Sequence, residues 1–376
     1  APDRFGGAAG LVICSPTSAE AAFLAAQQAA PQLMTAARHA DALFAVITSM
    51  DGTFGFSGQT FDNPEQGALP GLLKTAALEW PTVICRAIDL SADISDPDAA
   101  ARQVADELLT IADSDPLEVG LAADRRVTLK PVPAQTVDGP LRLNSSQVVV
   151  VTGGARGVTA ACALALARSS GAAMALVGRS APPFAEPAWL QGVQGEGAMK
   201  QVIAANDTFA DSRPTPKALQ AAYDTYAANR SIRQTLAALQ AAGVRAGYYR
   251  ADVTDRSGLD ATITTIRDEM GPVAGLIHGA GLIHDRLIVD KTVDQFRKVY
   301  TVKVDGLKHL LAATQADPLR YLVLFSSVSA RTGNTGQCDY AMANEALNKI
   351  ARSVALQRPD CRVTAINWGP WDGGMV

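Results

Sequence analysis

Gln147-Val-Val-Val-Val-Thr-Gly-Gly-Ala-Arg-Gly-Val-Thr159 decides the fold of this chain. Its apolar, β-branched opening suits a parallel strand buried on both faces. Gly153, Gly154 and Gly157 follow at once, and an Ala/Leu-rich helical stretch continues to Arg168. A strand, a tight turn and a helix in that order bring backbone amides and the positive end of a helix dipole to one point. Glycines alone are weak evidence, but this context is the one a dinucleotide pyrophosphate needs. Thr152, Gly153, Gly154, Arg156, Gly157 and Val158 are therefore candidate cofactor-binding residues.

Downstream, strands are expected at 173–177, 244–249, 274–278, 321–325 and 362–366, with helical stretches between them. That alternation reads as an α/β, doubly wound parallel sheet. The end of the second strand selects the cofactor. An NAD site usually places a carboxylate there for the ribose hydroxyls, but this strand ends Gly178-Arg179-Ser180. Arginine grips a 2′-phosphate bidentately, serine adds a donor and Arg156 adds a second positive charge, so NADPH is expected over NADH. Asp252 and Val253, ending the third strand, are placed to meet the adenine. Gly279-Ala280-Gly281 lets the backbone pass close to the cofactor's ribose.

The first half alternates in the same way, with strands at 11–14, 43–48, 82–88 and 126–130 and helices from about 18, at 67–80 and at 96–111. Ala100, Val104, Leu108 and Ile111 share one helical face. No glycine fingerprint follows any of these strands. The expected organisation is two Rossmann-like subdomains: residues 1–140 structural, truncated and without a cofactor site, and residues 141–376 catalytic. A Pro/Gly-bearing linker at 131–146 joins them. About fifty extra residues, at 181–231, separate Arg179 from a helix at Ile232, against a usual strand–helix connection of roughly 2–6. They hold a helical piece at 216–229 and read as a surface excursion or as a docking element for a neighbouring domain.

Composition narrows the function. The 376 residues are 48% hydrophobic and 19% charged, with a net charge of −4 and no long basic run. Nucleic acid and anionic membrane are not indicated as partners. Five dispersed cysteines without a CxxC pair fit free thiols in a reducing, cytoplasmic compartment, and no metal site is expected. The abrupt ends at Ala1 and Val376 read as those of a piece of a longer polypeptide.

The chemistry lies towards the C-terminus. Tyr340 and Asn344 stand one helical turn apart, Ser327 lies thirteen residues before the tyrosine, and Lys303 is upstream in Val302-Lys-Val-Asp-Gly306. Hydride arriving at a ketone carbon leaves negative charge on oxygen, which must be stabilised and protonated. A tyrosine supplies the proton, but its ordinary pKa is about 10. A nearby lysine cation is expected to lower it. Ser327 is the candidate for holding the carbonyl, Lys303 for tuning Tyr340, and Asn344 for orienting the lysine or a relay water.

These residues resemble the short-chain dehydrogenase/reductases, and specifically the ketoreductase domains of polyketide synthases. In ordinary members of that superfamily the lysine follows the tyrosine by four residues; in the polyketide ketoreductases Lys and Asn exchange places, as Lys303 and Asn344 do here. Leu324-Phe-Ser-Ser-Val-Ser-Ala330, Gly336-Gln-Cys-Asp-Tyr340 and Asn367-Trp-Gly-Pro-Trp371 are similar to the same family. So is Gly71-Leu-Leu-Lys-Thr-Ala-Ala-Leu-Glu-Trp80 to its cofactor-free structural subdomain. The glycine turn, the insert and the stretch 367–376 also resemble the ketoreductases of polyunsaturated fatty acid synthases. The resemblance implies NADPH-dependent reduction of a β-ketoacyl thioester on an acyl carrier protein, with neighbouring synthase domains as further partners. It also implies that Pro370 covers the nicotinamide, and that a lid and last strand lie beyond residue 376. The family's Leu-Asp-Asp motif reads Ile283-His284-Asp285 here, and its alternative tryptophan position is Thr332. This implies the D (3R) alcohol, with Asp285 in stereocontrol. A reductively silent domain and a stand-alone reductase of a small ketone are the other readings.

Overall fold

Two mainly parallel sheets follow one another along the chain, in a computed structural model that describes residues 10–14, 16–111, 115–133, 143–206, 209 and 214–371. The first sheet holds β1 (Gly10–Cys14), β2 (Leu43–Thr48), β3 (Ile84–Leu90), β4 (Glu118–Leu121) and β5 (Arg126–Val127) in that order. Only β5 runs antiparallel, against β4. Helices α1 (Ala19–Ala36), α2 (Ala68–Glu79) and α3 (Pro97–Leu109) connect them. Local sequence sets the helix starts: Ser18 accepts from the Ala21 amide, and Asp96 caps α3 ahead of Pro97.

The second sheet holds β6 (Val148–Thr152), β7 (Ala173–Gly178), β8 (Ala246–Arg250), β9 (Val273–His278), β10 (Tyr321–Ser327) and β11 (Arg362–Trp368). Its spatial order is β8-β7-β6-β9-β10-β11, all parallel. The helices are α4 (Gly157–Ser170), α5 (Glu196–Asn206), α6 (Pro216–Ala241), α7 (Arg256–Met270), α8 (Val293–Ala313), the single turn α9 (Ser329–Thr332) and α10 (Cys338–Gln357). Strand order reverses between β6 and β9, which opens a ligand crevice at their carboxyl ends. The first sheet never reverses. Its turn after β2 is also filled from within: Asp89 accepts from Thr48 Oγ1 at 2.6 Å and from the Met50 and Phe54 amides at 2.9 and 2.8 Å. Those amides are already spent on a carboxylate of the chain itself.

Several expectations need correction. β3 starts two residues later than expected, because Val83 N closes a turn onto the Trp80 carbonyl at 2.9 Å. β4 was not expected: it has four residues, one a glutamate and one a glycine. The expected strand at 126–130 shrinks to the two-residue β5. The helical piece at 216–229 and the helix at Ile232 are one 26-residue helix, α6, preceded by the unexpected α5. Within the insert, Leu190, Met199 and Ile203 form a small core of their own. Arg230 ties it together, reaching Glu186 at 2.8 Å and the Val193 and Leu190 carbonyls at 2.6 and 3.1 Å. The expected 140/141 boundary and most of the linker fall outside the described residues.

One hydrophobic core spans both sheets, including Phe23, Phe44, Leu72, Trp80, Val150, Phe296 and Leu347. Phe23 of α1 stacks on Phe296 of α8 at 4.8 Å between ring centres. Helix α2 lies so close to α10 that a Cβ on Gly71 would stand 2.7 Å from the Ala341 carbonyl oxygen. A buried ionic cluster crosses the same contact. Lys74 and Arg331 reach Glu118 at 2.9 and 2.7 Å, and Arg331 and Lys349 reach Glu345 at 2.7 and 3.1 Å. Burial works against an ionised Glu345, but Lys349, Lys74 and Arg331 overcome it and hold its carboxyl well below the ordinary range. Helix α10, which carries Tyr340 and Asn344, is thus fixed from the first half of the chain.

Candidate active site

The glycine turn sits at the point where strand order reverses. Gly153 has φ +69°, and a Cβ there would lie 2.9 Å from the Gly279 carbonyl oxygen, so the turns after β6 and β9 meet backbone to backbone. Thr152 O accepts from the Gly279 amide at 3.1 Å, and Thr152 Oγ1 from the Ala280 amide at 3.4 Å. Gly157, at φ +61°, starts α4 with open space around its missing Cβ. Arg156 occupies the N-cap with no side-chain cap hydrogen bond, and it is exposed. A helix start with uncapped amides and a bare approach fits a pyrophosphate. Arg179 is exposed at the end of β7, and the Tyr248 hydroxyl fixes the adjoining Ser180 carbonyl at 2.9 Å. Val253 is buried, whereas Asp252 Oδ1 is engaged by its neighbour Thr254, through the amide at 2.9 Å and the hydroxyl at 2.8 Å.

Lys303 is buried on α8 and reaches the same crevice. Its Nζ donates to the Phe325 carbonyl at 2.9 Å and lies 5.2 Å from the centre of the Tyr340 ring. Gly281 makes room for it: a Cβ there would stand 3.1 Å from Lys303 Cε. Burial draws the Lys303 ammonium down to about 7. His278, not singled out from the sequence, locks this lysine in place. Thr152 Oγ1 lies 2.9 Å from its Nδ1, and the Lys303 carbonyl lies 3.0 Å from its Nε2. The Lys303 carbonyl can only accept, so Nε2 carries the proton and donates to it; in the neutral ring Nδ1 is then the acceptor, and Thr152 Oγ1–H donates to it. Burial, with the Lys303 charge nearby, pushes His278 down to about 3, so it stays neutral.

Tyr340 and Asn344 lie on α10, and Ser327 at the end of β10. Asn344 Nδ2 donates to the Tyr340 carbonyl at 2.8 Å, while its buried Oδ1 has no hydrogen-bond partner among the described residues. Burial raises the Tyr340 hydroxyl above its ordinary value, and hydrogen bonds with Asn344 and Ser327 pull it partly back. The expected lowering by Lys303 is not among the influences on Tyr340 here. Ser326, a neighbour missed in the sequence, pins α10 by donating to the Asn344 carbonyl at 3.1 Å and reaching Asn367 Oδ1 at 3.0 Å. Asp285 is exposed on the loop after β9, and Gln337 Nε2 donates to its two oxygens at 3.1 and 3.2 Å. Pro370 is exposed just past β11, between Trp368 and Trp371, whose rings pack at 4.6 Å. Residues 372–376 of the expected family stretch fall outside the described residues. The structure thus brings together Tyr340, Ser327, Lys303 and Asn344 beside the glycine turn, with Asp285 on the rim.

The KR domain family model matches residues 147–373. The chain belongs to the ketoreductase domain family. It is 34% identical over 399 aligned residues to a component of the polyunsaturated fatty acid synthase of Thraustochytrium sp., an alignment that takes in 100% of this chain and 14% of that protein. It is 37% identical over 148 residues to polyketide synthase PksL of Bacillus subtilis, covering 38% of this chain and 3% of that one. The chain therefore spans a small part of the curated relatives it matches. In fold it is similar to the ketoreductase from the first module of phoslactomycin biosynthesis in a Streptomyces species. The TM-score is 0.68 at 23% identity, over 97% of this chain and 71% of that one.

Membership in the ketoreductase family implies an oxidoreductase that takes a nicotinamide cofactor and reduces a β-ketoacyl thioester. The residues at the reversal point suit such a cofactor: two abutting glycine turns, an uncapped helix start and a buried lysine opposite them. Among the described residues no helix is long and apolar enough to cross a membrane. The ketoreductase residues that the sequence hid, His278 and Ser326, act on backbone atoms of Lys303 and Asn344. Only the tertiary fold reveals contacts of that kind.

Proposed function

We propose that this chain is the NADPH-dependent β-ketoacyl-[acyl-carrier-protein] reductase domain of a polyketide or polyunsaturated fatty acid synthase, giving the D (3R) alcohol. The observation that carries this reading is the meeting of Tyr340, Ser327 and Lys303 beside the glycine turn at the point of strand reversal. The nicotinamide, when bound, supplies the hydride. Ser327 donates a hydrogen bond to the ketone oxygen, and Tyr340 gives up its hydroxyl proton to that oxygen, so that the products are an alcohol and a tyrosinate. Lys303 places a positive charge beside the tyrosinate, and Asn344 Oδ1, which has no partner among the described residues, is the acceptor that orients a proton donor to restore the phenol. Arg179 and Arg156, both exposed at the adenosine end, support NADPH over NADH. Asp285 on the rim supports the stereochemical assignment.

Two measurements test this. NADPH titration followed by fluorescence should show binding to both the wild type and Tyr340→Phe. Chiral analysis of the product of a β-ketoacyl thioester should show the D alcohol from the wild type and none from the variant. Undiminished reduction by Tyr340→Phe removes the assignment of the proton donor.

A further inference from the structure

The first half of the chain holds the rim of the active site as well as its floor. The segment from His284 to Lys291 carries Asp285, and the segment from Gly336 to Asp339 leads into Tyr340. Gln27 of α1 donates through Nε2 to the carbonyls of Ile288 and Lys291, at 2.6 and 2.8 Å. Glu79, the last residue of α2, accepts from the Ile288 amide at 2.7 Å and from the Gly336 amide at 2.9 Å, one carboxylate oxygen to each segment. Lys291 Nζ reaches Asp339 Oδ2 at 2.8 Å and the His284 carbonyl at 2.5 Å. Asp339 Oδ1 in turn accepts from the Tyr340 amide at 2.9 Å. The Arg286 amide closes the clamp onto the Gly336 carbonyl at 2.9 Å.

Lys291 and Asp339 are 2% and 1% exposed. A buried ion pair gains little stability over an apolar pair of the same volume, because both charges must be desolvated. What it does supply is geometry: an ammonium with three donors and a carboxylate with two acceptors define the distance and angle between two segments. Here those segments are the one bearing Asp285 and the one bearing Tyr340.

We infer that Gln27, Glu79, Lys291 and Asp339 are positioning residues that hold Asp285 in register with Tyr340, and that through them the cofactor-free first half governs which face of the ketone is reduced. This rests on the reading of the chain as a β-ketoacyl reductase with Asp285 at the stereocontrol position. The first half thereby acts on the outcome of the reaction and not only on the stability of its neighbour.

The test uses the full-length protein that carries this chain, a soluble β-ketoacyl N-acetylcysteamine thioester and NADPH. Gln27→Ala, Glu79→Gln, Lys291→Met and Asp339→Asn are compared with the wild type. Gln27 is only part-buried, so its variant keeps the test sound if a buried variant fails to fold. The ratio of major to minor alcohol should fall at least about tenfold, or about 1.4 kcal/mol of discrimination. KM for the thioester should rise, while the Kd for NADPH changes less than about twofold, since the clamp touches no residue of the glycine turn. Variants that lower only kcat or thermal stability, with product ratio and thioester KM unchanged, overturn the inference. A wild type that binds NADPH but reduces no β-ketoacyl thioester overturns the underlying reading, and the inference with it.

Discussion

Lys303 Nζ lies 5.2 Å from the centre of the Tyr340 ring, yet its hydrogen bond goes to the Phe325 carbonyl, 2.9 Å away. The cation is held by the end of β10 and poised above the phenol. Burial draws it down to about 7, against about 10.4 for a free lysine. Between those values the unfolded chain binds the proton and the folded chain does not, so stability rises with pH across the window. Lys303→Met removes this slope. Urea unfolding of the cofactor-free protein at several pH values from 7 to 10 should show the wild type gaining stability relative to the variant as pH rises; parallel curves would show that Lys303 is not depressed.

His278 acts in the same direction at acid pH. Its folded value of about 3 lies below the ordinary value of about 6.5. The neutral ring therefore contributes fully above the unfolded value, and its contribution is lost as pH falls towards 3. His278→Gln keeps one donor and one acceptor but cannot titrate. At pH 7.5 the variant should be less stable by about 1–3 kcal/mol if either bond is left unmade. The gap should narrow on acidification, read from thermal melts between pH 4 and 7.5. A constant gap would mean that the ring is not the acid-sensitive group.

What the sequence made legible was local. Strand–turn–helix around Gly153 and the Tyr340–Asn344 turn are set by neighbours a few residues apart, and both stand where expected. Strand β4 was hidden because a glutamate and a glycine in four residues carry no strand pattern. Glu118 is tolerated there only because Lys74 and Arg331 meet it. Lys291 and Asp339 are 48 residues apart, and each reads in isolation as an ordinary surface charge. The helix of the insert read as two pieces, at 216–229 and at Ile232, because nothing local shows that Arg230 and Ser231 join them; Arg230 ties the joined helix to the small core through carbonyls that composition does not reveal.

Gly71 tests how closely the two halves must meet. An added Cβ would collide with the Ala341 carbonyl at 2.7 Å and with Met342 Cα at 2.8 Å, both backbone atoms that cannot swing away. Gly71→Ala should destabilise the protein by about 1–3 kcal/mol, as overpacking does. It should also lower kcat by shifting α10, while Ala77→Gly on the same helix leaves kcat unchanged. Circular dichroism melts and NADPH oxidation rates measure both effects. Wild-type kcat in Gly71→Ala would show that α10 tolerates displacement without moving Tyr340 out of place.

The proposed preference for NADPH is tested at Arg179. It is exposed at the end of β7, where the Tyr248 hydroxyl fixes the Ser180 backbone at 2.9 Å and so sets the course of the loop. A guanidinium in that position recognises a 2′-phosphate and has nothing comparable to hold in NADH. Arg179→Ala should therefore raise KM for NADPH about tenfold or more, the effect of losing roughly 1.5–3 kcal/mol of charged hydrogen bonding. KM for NADH and kcat with either cofactor should change little. Because the contact is solvent-exposed, the wild-type preference should also weaken with added salt, and that of the variant should not. Steady-state kinetics with both cofactors at low and high ionic strength read all of this. If Arg179→Ala weakens NADPH and NADH equally, Arg179 shapes the turn instead of reading the phosphate, and the case for NADPH passes to Arg156.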